Sequence, residues 1–207
     1  MRDMLVVDVE TTGIDENKNS IVSVGGVIIP KIEEDTIKYL YNEARVWPGA
    51  EISDRTLEVN GFTREAITSD QTKLTQREML EQLVEFADMS EDITIWGHNP
   101  RFDVNFINAS LKREGLDFRF SYHTLDQHTL ACVRHLDNQQ QIPLKDKKSI
   151  LDGDAIMTYV GIPQEPTPHN ALNGAKWEAE AIYRMLYGKN FHPDFKKFPV
   201  PNYLKRN

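Results

Sequence analysis

The sequence predicts an α/β fold in which a mixed five-stranded sheet is flanked by helices. Three observations lead to this prediction. The chain opens with three runs of strand character, and its later part alternates short apolar runs with helical patterns. Its 207 residues are 40% hydrophobic and 27% charged, which is typical of a globular protein with a full core. We expect one domain over residues 1–190 and an extended C-terminal tail, residues 191–207, packed on it.

Each element follows from hydrophobic periodicity and from start and stop signals. The strand-like runs cover residues 4–9, 21–29, 37–46, 93–96 and 118–120. The helical patterns cover about residues 53–61, 75–89, 101–114, 125–136, 150–160 and 171–187. Gly25-Gly26 is interpreted as a bulge or bend in the second strand, Ser149 as the cap of the helix at 150–160, and residues 137–148 as an exposed loop.

Composition limits the classes of function. No run of roughly 18 apolar residues exists, so we expect no membrane span, and the N-terminus lacks a signal-peptide pattern. The single cysteine, Cys132, cannot form an internal disulfide, and together these features favour a cytoplasmic setting. The net charge of −8 argues against a broad basic surface for duplex nucleic acid, but it leaves open a short single strand bound through metal ions.

Asp8 and Glu10 form the most informative pair, because they end an apolar strand and lead into a Thr-Thr-Gly turn. Residues two apart on a strand project from the same face. Two carboxylates held that close repel each other, and one would be protonated unless a cation lay between them. A solvated strand end is the alternative for this pair alone.

Three later segments also place an acidic residue or a histidine near the start of a predicted helix. His98 to Asp103 follows the strand at 93–96 and places Asp103 in the first turn of a helix, where an acid can also simply stabilise the helix dipole. A second segment, residues 122–130, contains Asp126. The third, residues 168–175, places His169 at the entry of the last helix, where a histidine can equally be a surface or capping residue.

Together these segments resemble the DEDDh 3′→5′ exonucleases, the ribonuclease-H-like family that includes polymerase proofreading subunits, ribonuclease T and oligoribonuclease. The motif from Asp8 to Gly13, the segment from His98 to Asp103 and the residues that follow His169 match this family in order, across about residues 4 to 187. The resemblance implies a ribonuclease-H-like fold.

The same resemblance implies a metal-dependent phosphodiester hydrolase. In this family two divalent ions, about 4 Å apart, clamp the scissile phosphate, and hard oxygen ligands suit Mg²⁺ or Mn²⁺. Asp8 would bridge both ions, Glu10 would hold the ion that binds the attacking water, and Asp103 would help to fix the other ion through water. His169 would be the general base.

One position departs from the family pattern. The family has an aspartate five residues after the histidine, and this chain has Gly174 there, with Asn173 one residue early. The resemblance therefore implies a site with three acids, one weakened ion and reduced or lost activity. Glu178, one helical turn further on, has a side chain long enough to substitute, but we expect the helix to carry it away from the site.

Substrate contacts and partners also follow from the resemblance. Thr11, Thr12 and Gly13 would approach the terminal nucleotide, and Gly13 would avoid a clash there. Phe62 would stack on a base or pack in the core, and Asn99 would orient the nucleotide or cap the following helix. The expected partner is a single-stranded DNA or RNA 3′ end, with a polymerase or a second copy of the chain as a further partner. The alternative is an inactive protein of the same fold that binds nucleic-acid ends or a protein.

Overall fold

A five-stranded mixed sheet lies at the centre of the computed structural model, which describes residues 3–31 and 36–205. The strands β1 to β5 are, in chain order, Met4–Thr11, Ile21–Ile29, Lys38–Glu43, Ile95–Gly97 and Leu125–Asp126. Their spatial order is β3-β2-β1-β4-β5. β1 is antiparallel to β2 and parallel to β4, so the sheet is mixed, as the sequence predicts.

β1 extends beyond the end of its parallel neighbour. Val6 pairs with Trp96, and β4 ends one residue later at Gly97, whereas β1 continues to Thr11. On its other side β1 remains paired with β2 along its whole length. The last residues of β1 therefore have one free edge at the carboxyl end of the parallel strands, which is where ligands bind in open α/β sheets.

Helices cover both faces of this sheet. In the part of the chain that the structure describes, the α-helices α1 to α7 are Asp54–Asn60, Arg64–Thr68, Gln76–Asp88, Arg101–Arg113, Gln127–Asp137, Gly153–Val160 and Ala171–Tyr187. Two short 3₁₀ helices, Pro193–Phe195 and Asn202–Leu204, follow in the C-terminal segment. None of the helices in residues 3–31 and 36–205 is both long and apolar enough to cross a membrane.

The two faces of β1 have different partners. Val7 and Val9 lie in a core cluster with residues of α3 and α4, whereas Val6 lies in a cluster with residues of α7. Because successive strand side chains alternate, Asp8 and Glu10 lie on the α7 face. The N-terminal turn of α7 is therefore the helical element nearest to this acidic pair.

The long helices start where the sequence predicts. Thr75 and Glu78 form a reciprocal capping box at the start of α3, and Leu80 and Leu83 are buried on its inner face. Asn170 caps α7 by accepting hydrogen bonds from the backbone N–H groups of the helix's second and third residues. The local capping chemistry in the sequence is thus realised at both helices.

The strand predicted at residues 118–120 is wrong. The side-chain amide of Asn108 on α4 both donates to and accepts from the backbone of Phe120, at 2.9 Å in each case, so these backbone groups are satisfied without a neighbouring strand. The fifth strand is Leu125–Asp126, which was predicted as the start of a helix. α5 begins only at Gln127 because Asp126 is its N-cap.

Three other boundaries also differ from the prediction. Residues 137–148 are not all loop, because Leu144–Lys145 (β6) and Lys148–Ser149 (β7) form a small hairpin. Ser149 lies in that hairpin and does not cap a helix. α6 starts at Gly153, because the Asp152 side chain accepts from the backbone N–H of Ala155. β3 ends at Glu43 rather than at residue 46.

A buried ion pair fastens the C-terminal segment to α7. Arg184 Nε donates to Glu180 Oε1 at 2.6 Å, and both side chains are fully buried. The other guanidinium nitrogens donate to backbone carbonyls, including those of Val160 and Phe198 at 2.9 and 2.8 Å. Glu180 Oε2 accepts from the backbone N–H of His192 at 2.7 Å. The pair thus links α6, α7 and the C-terminal segment.

Replacing Arg184 should therefore destabilise the protein strongly. Arg184→Met keeps the volume but leaves Glu180 as a buried charge without a cation, and we expect a loss of about 3–5 kcal/mol in the free energy of unfolding. Chemical denaturation measures this value. The control Arg64→Met breaks an exposed ion pair with Asp54 and should cost about 1 kcal/mol or less. Equal losses in the two variants would contradict the prediction.

Candidate functional site

The site is built at the free edge of β1. Asp8 and Glu10 are partly buried there. Asp103, in the first turn of α4, is 5% exposed, and its Oδ1 accepts from the backbone N–H of Val9 at 3.1 Å. Asp103 thus hydrogen-bonds to β1 in the stretch where β4 has already ended. The structure thus brings Asp103 beside Asp8 and Glu10, from which it is far removed in the sequence.

Gly25 allows α7 to approach the sheet. Gly25 pairs with Asp8 across β1 and β2, and a Cβ atom at Gly25 would collide with the backbone of Ala171 and Leu172. Backbone atoms cannot rotate aside, so only glycine permits this contact. The predicted bulge at Gly25-Gly26 is wrong, because β2 runs through both residues in regular register. The glycine instead places the N-terminus of α7 beside the acidic pair.

Two further acids enter the site from the C-terminal part of the chain. Glu178 on α7 lies against β4, and its Oε2 would be 2.9 Å from a Cβ atom at Gly97. The backbone N–H of His98 donates to its carboxylate. The expectation that α7 carries Glu178 away is therefore wrong.

Glu165, in the proline-rich loop before α7, was missed in the sequence. Its Oε1 accepts from the backbone N–H of Asn170 at 3.1 Å, and its Oε2 lies 3.8 Å from Nδ1 of His169. The His169 side chain is 43% exposed, so its ring remains accessible from solvent. The signal that could have revealed Glu165 is its place four residues before His169, in a loop that three prolines restrict.

The acids raise one another's pKa. Burial raises the pKa of Asp8 to about 7, and the charge of Glu165 adds to the rise. Burial, followed by the charges of Asp8 and Glu165, raises the pKa of Glu10 to about 8. The pKa values of Asp103 and Glu178 also lie well above the ordinary range, first because of burial and then because of Asp8. The site therefore favours a positive charge that would allow all the carboxylates to ionise.

The chemistry of these groups fits a hard divalent cation. Carboxylate oxygens are the donors that Mg²⁺ and Mn²⁺ prefer. Within the described ranges, no three Asp, Glu, His or Cys side chains are already gathered closely enough to hold an ion. Asp103 and Glu178 instead accept from backbone N–H groups of Val9 and His98. The backbone thus brings these acids together, while the carboxylates of Asp103 and Glu178 hydrogen-bond to it in this conformation.

The raised pKa values predict how stability depends on pH. Asp8 and Glu10 titrate near 4 when unfolded and near 7 to 8 when folded, so the native state binds more protons between these limits. Without metal, Tm should therefore fall as pH rises from about 4 to about 8. Added Mn²⁺ should stabilise the protein most at the upper end, where the carboxylates are ionised.

Thermal unfolding in chelator and in Mn²⁺ across this window measures the effect. Asp8→Asn should flatten the fall in chelator, because one of the titrating groups is gone. A Tm in chelator that is constant or rises with pH would contradict the prediction.

A family model described as the 3′-5′ exoribonuclease Rv2179c-like domain matches residues 3–186. The chain belongs to this family. The family predicted from the motifs is thereby confirmed. A 3′-5′ exoribonuclease family implies phosphodiester hydrolysis with divalent ions.

Curated relatives agree with this assignment. The PolC-type DNA polymerase III of Thermotoga petrophila is 30% identical over 183 residues, which are 88% of this chain but 12% of that protein. The corresponding polymerase of Streptococcus suis is 31% identical over 133 residues, which are 64% of this chain and 8% of that protein. The chain thus spans only about a tenth of the length of these polymerases.

Solved structures show the fold. The nuclease domain of 3′hExo, a DEDDh family member bound to rAMP, has a TM-score of 0.66 at 13% identity and covers 97% of this chain and 96% of its own. E. coli Exonuclease I in complex with a dA16 oligonucleotide has a TM-score of 0.69 at 13% identity, over 89% of this chain and 41% of its own. The exoribonuclease-family chain therefore has the ribonuclease-H-like fold of DEDDh nucleases.

The predicted substrate residues in the turn after β1 make contacts within the protein itself. Thr11 Oγ1 donates to the Gly13 carbonyl at 2.6 Å, and Thr12 Oγ1 donates to the Glu51 carbonyl at 2.7 Å. A Cβ atom at Gly13 would lie 2.5 Å from the Asn19 side chain. The side-chain hydroxyls and the glycine thus shape the loop itself, and the space beside Gly13 holds a protein side chain.

Phe62 and Asn99 had two interpretations each. Phe62 packs beside a small core cluster that includes Leu57 and Ile67, and Lys73 Nζ lies 5.3 Å from its ring centroid. These contacts support core packing rather than base stacking.

Asn99 is exposed with a φ of 50°, and the helix that follows it has no side-chain cap. The structure therefore does not support capping by Asn99 and leaves its side chain free to meet a ligand.

Proposed function

We propose that this chain is a divalent-metal-dependent 3′→5′ exonuclease that removes nucleotides from single-stranded DNA or RNA ends. The observation that carries this proposal is the convergence of Asp8, Glu10 and Asp103 at one strand edge, with His169 at the adjoining helix entry. Membership of a 3′-5′ exoribonuclease family supports the reaction class. One structural neighbour is bound to rAMP and another to a dA16 oligonucleotide, which supports both kinds of nucleic acid as substrates.

Asp8, Glu10 and Asp103 are the residues that would hold Mg²⁺ or Mn²⁺. When bound, the ions stabilise the charge on the phosphate and make water more acidic. The charge of Asp8 raises the pKa of both Glu10 and Asp103, so Asp8 lies within electrostatic reach of each of them. If divalent ions bind here, Asp8 would be the carboxylate that they share. The three acids keep the site negative and repel an anionic strand until cations neutralise them.

His169 is the group that would take the proton from the attacking water. Its ring is partly exposed beside the acids and is held near the Glu165 carboxylate through Nδ1, which leaves Nε2 for the proton transfer. Its backbone N–H donates to the Val59 carbonyl at 3.1 Å, so the loop that carries it is fastened to α1. The backbone hydrogen bond therefore fixes the position of His169, with Glu165 beside its ring.

A cleft beside the turn after β1 would take the terminal nucleotide. It has a volume of about 560 Å³, and its walls include Ile14 and Val59, whose side chains are 86% and 49% exposed. Exposed apolar side chains in its walls suit the face of a base, which stacks without sequence preference. Asn99, on the helix entry near Asp126, offers a polar side chain for the sugar or phosphate.

An oligonucleotide assay tests this function. With Mn²⁺ or Mg²⁺, a single-stranded oligonucleotide labelled at its 5′ end should give a ladder of fragments shortened from the 3′ end. A circular single strand should stay intact because it has no end. Parallel DNA and RNA arms show which sugar is preferred. Binding without shortening under every ion would instead support the inactive binding protein that Gly174 suggests.

The match to a segment of PolC-type polymerases supports a polymerase as the protein partner. Copurification with a polymerase subunit of the same cell tests this association.

A further inference from the structure

Gly174 leaves space that a neighbouring carboxylate fills. The residue is buried in the first turn of α7, five residues after His169. A Cβ atom at this position would collide with Oδ2 of Asp8 and lie 2.9 Å from its Cγ. The Asp8 side chain therefore occupies the space beside Gly174 in this conformation.

The next acid on the same face of α7 is Glu178. Residues four apart on a helix lie on one face, one turn above the other. The Glu178 side chain turns towards β4, where Gly97 leaves room for its carboxylate. The same Gly97 position faces the Val7 carbonyl, 3.7 Å from the place of the absent Cβ. The Glu178 carboxylate thus lies near both β4 and the residue before Asp8.

We propose that Glu178 supplies the fourth carboxylate of the metal site, in place of the aspartate that the family pattern has at the position of Gly174. This inference rests on the proposed exonuclease function and names a further residue of that same site. The longer glutamate side chain compensates for its origin one helical turn away. Glycines at positions 174 and 97 leave room for the carboxylates of Asp8 and Glu178.

A comparison with Glu180 shows that Glu178 is not a typical structural acid. Both lie on α7, two residues apart. Glu180 is paired with Arg184 and accepts two backbone N–H bonds, as a buried acid with a structural role should. The charges that act on Glu178 are those of Asp8, Asp103 and Glu165, all negative, and a single backbone N–H opposes them. Such an acid is stabilised by a cation that the surrounding acids would share.

The like charges around Glu178 also argue against a purely structural role for this residue. The neighbouring acids Asp8 and Asp103 act on Glu178 with charges of the same sign. In the metal-free protein, Glu178→Gln should remove this repulsion and leave Tm in chelator unchanged or higher above neutral pH. A residue that only held the fold together would lower Tm when replaced.

The experiment measures Mn²⁺ binding to the full chain by calorimetry, without substrate. Glu178→Gln should weaken the tightest site, or remove one ion, with a loss of at least about 10-fold in affinity, the low end of ligand-shell effects. Glu178→Asp keeps the charge but retracts the carboxylate, and it should also weaken binding. The control Glu85→Gln changes an exposed acid on α3 and should bind as the parent protein does.

A double variant tests whether the two positions are equivalent. Gly174→Asp combined with Glu178→Gln returns a carboxylate to the family position, and it should recover most of the affinity that Glu178→Gln loses. Gly174→Asp alone should gain little, because the fourth carboxylate is already present and Asp8 must move. If Gly174→Asp alone binds as the parent does, a double variant that binds no better than Glu178→Gln would overturn the proposal.

The variant Asp8→Asn separates failure of this inference from failure of the proposed function. If Asp8→Asn abolishes Mn²⁺ binding while Glu178→Gln and Glu178→Asp bind like the parent, Glu178 is not a ligand and the inference falls alone. If neither Asp8→Asn nor Glu178→Gln affects binding, the metal site itself is refuted and the exonuclease proposal falls with it.

Discussion

Asp8→Asn should reduce hydrolysis of a single-stranded oligonucleotide by at least about 10³-fold. Asp8 is the central acid, since its charge acts on Glu10, Asp103 and Glu178. Metal ions contribute several kcal/mol of charge stabilisation in the transition state, and every 1.36 kcal/mol corresponds to a tenfold change in rate. Single-turnover rates at saturating Mn²⁺ measure the loss in the chemical step.

The control for this variant is Asp88→Asn, which removes an exposed carboxylate at the end of α3. It should leave the rate within about twofold, since surface substitutions away from a site change little. Thermal unfolding of both variants shows that they are folded. If Asp8→Asn retained more than a tenth of the parent rate, the acid cluster could not be the reaction centre.

His169→Ala should lower the turnover rate by about 10²- to 10⁴-fold, the range for loss of a general base. The affinity for Mn²⁺ should stay the same, because His169 is not among the acids that would hold the ions. The pH–rate profile should also lose the limb that reports the base. His123→Ala, which removes another exposed imidazole, is the matched control.

Glu165→Gln should have a smaller effect than His169→Ala. Its carboxylate orients both His169 and the backbone N–H of Asn170, so its loss misplaces the base without removing it. We expect a fall in turnover rate with little change in substrate affinity. If His169→Ala lost metal affinity in proportion to its rate, the histidine would be a ligand or a structural residue rather than the base.

Local chemistry made much of the fold predictable. The apolar run before Asp8, the capping signals at Thr75 and Asn170 and the turn residues fix where strands and helices begin, because these interactions lie within a few residues of the chain. The predicted strand at residues 118–120 was wrong for the opposite reason. A strand needs a partner, and the Asn108 amide on another element satisfies the backbone of Phe120 instead.

The residues of the site also fall into those that the local sequence predicts and those that depend on tertiary packing. The pairing of Asp8 with Glu10 follows from the two-residue repeat of a strand, and the motifs around Asp103 and His169 carry a recognisable order. Sequence spacing also suggested a missing acid at Gly174. It could not show that Glu178 turns back towards β4, since this depends on the packing of α7 against the sheet.

The sequence by itself therefore predicted the family, the first strands and the long helices, because these depend on local periodicity and contiguous motifs, and it singled out the acids on β1 and α4. Only the tertiary structure decided which C-terminal acids join them. Gly25 lets the backbone of α7 touch β2, Gly97 makes room for the carboxylate of Glu178, and the loop before α7 brings Glu165 to His169. These are contacts between segments that are distant in the sequence. How closely two such segments approach depends on whether a side chain or only a hydrogen atom lies at the point of contact.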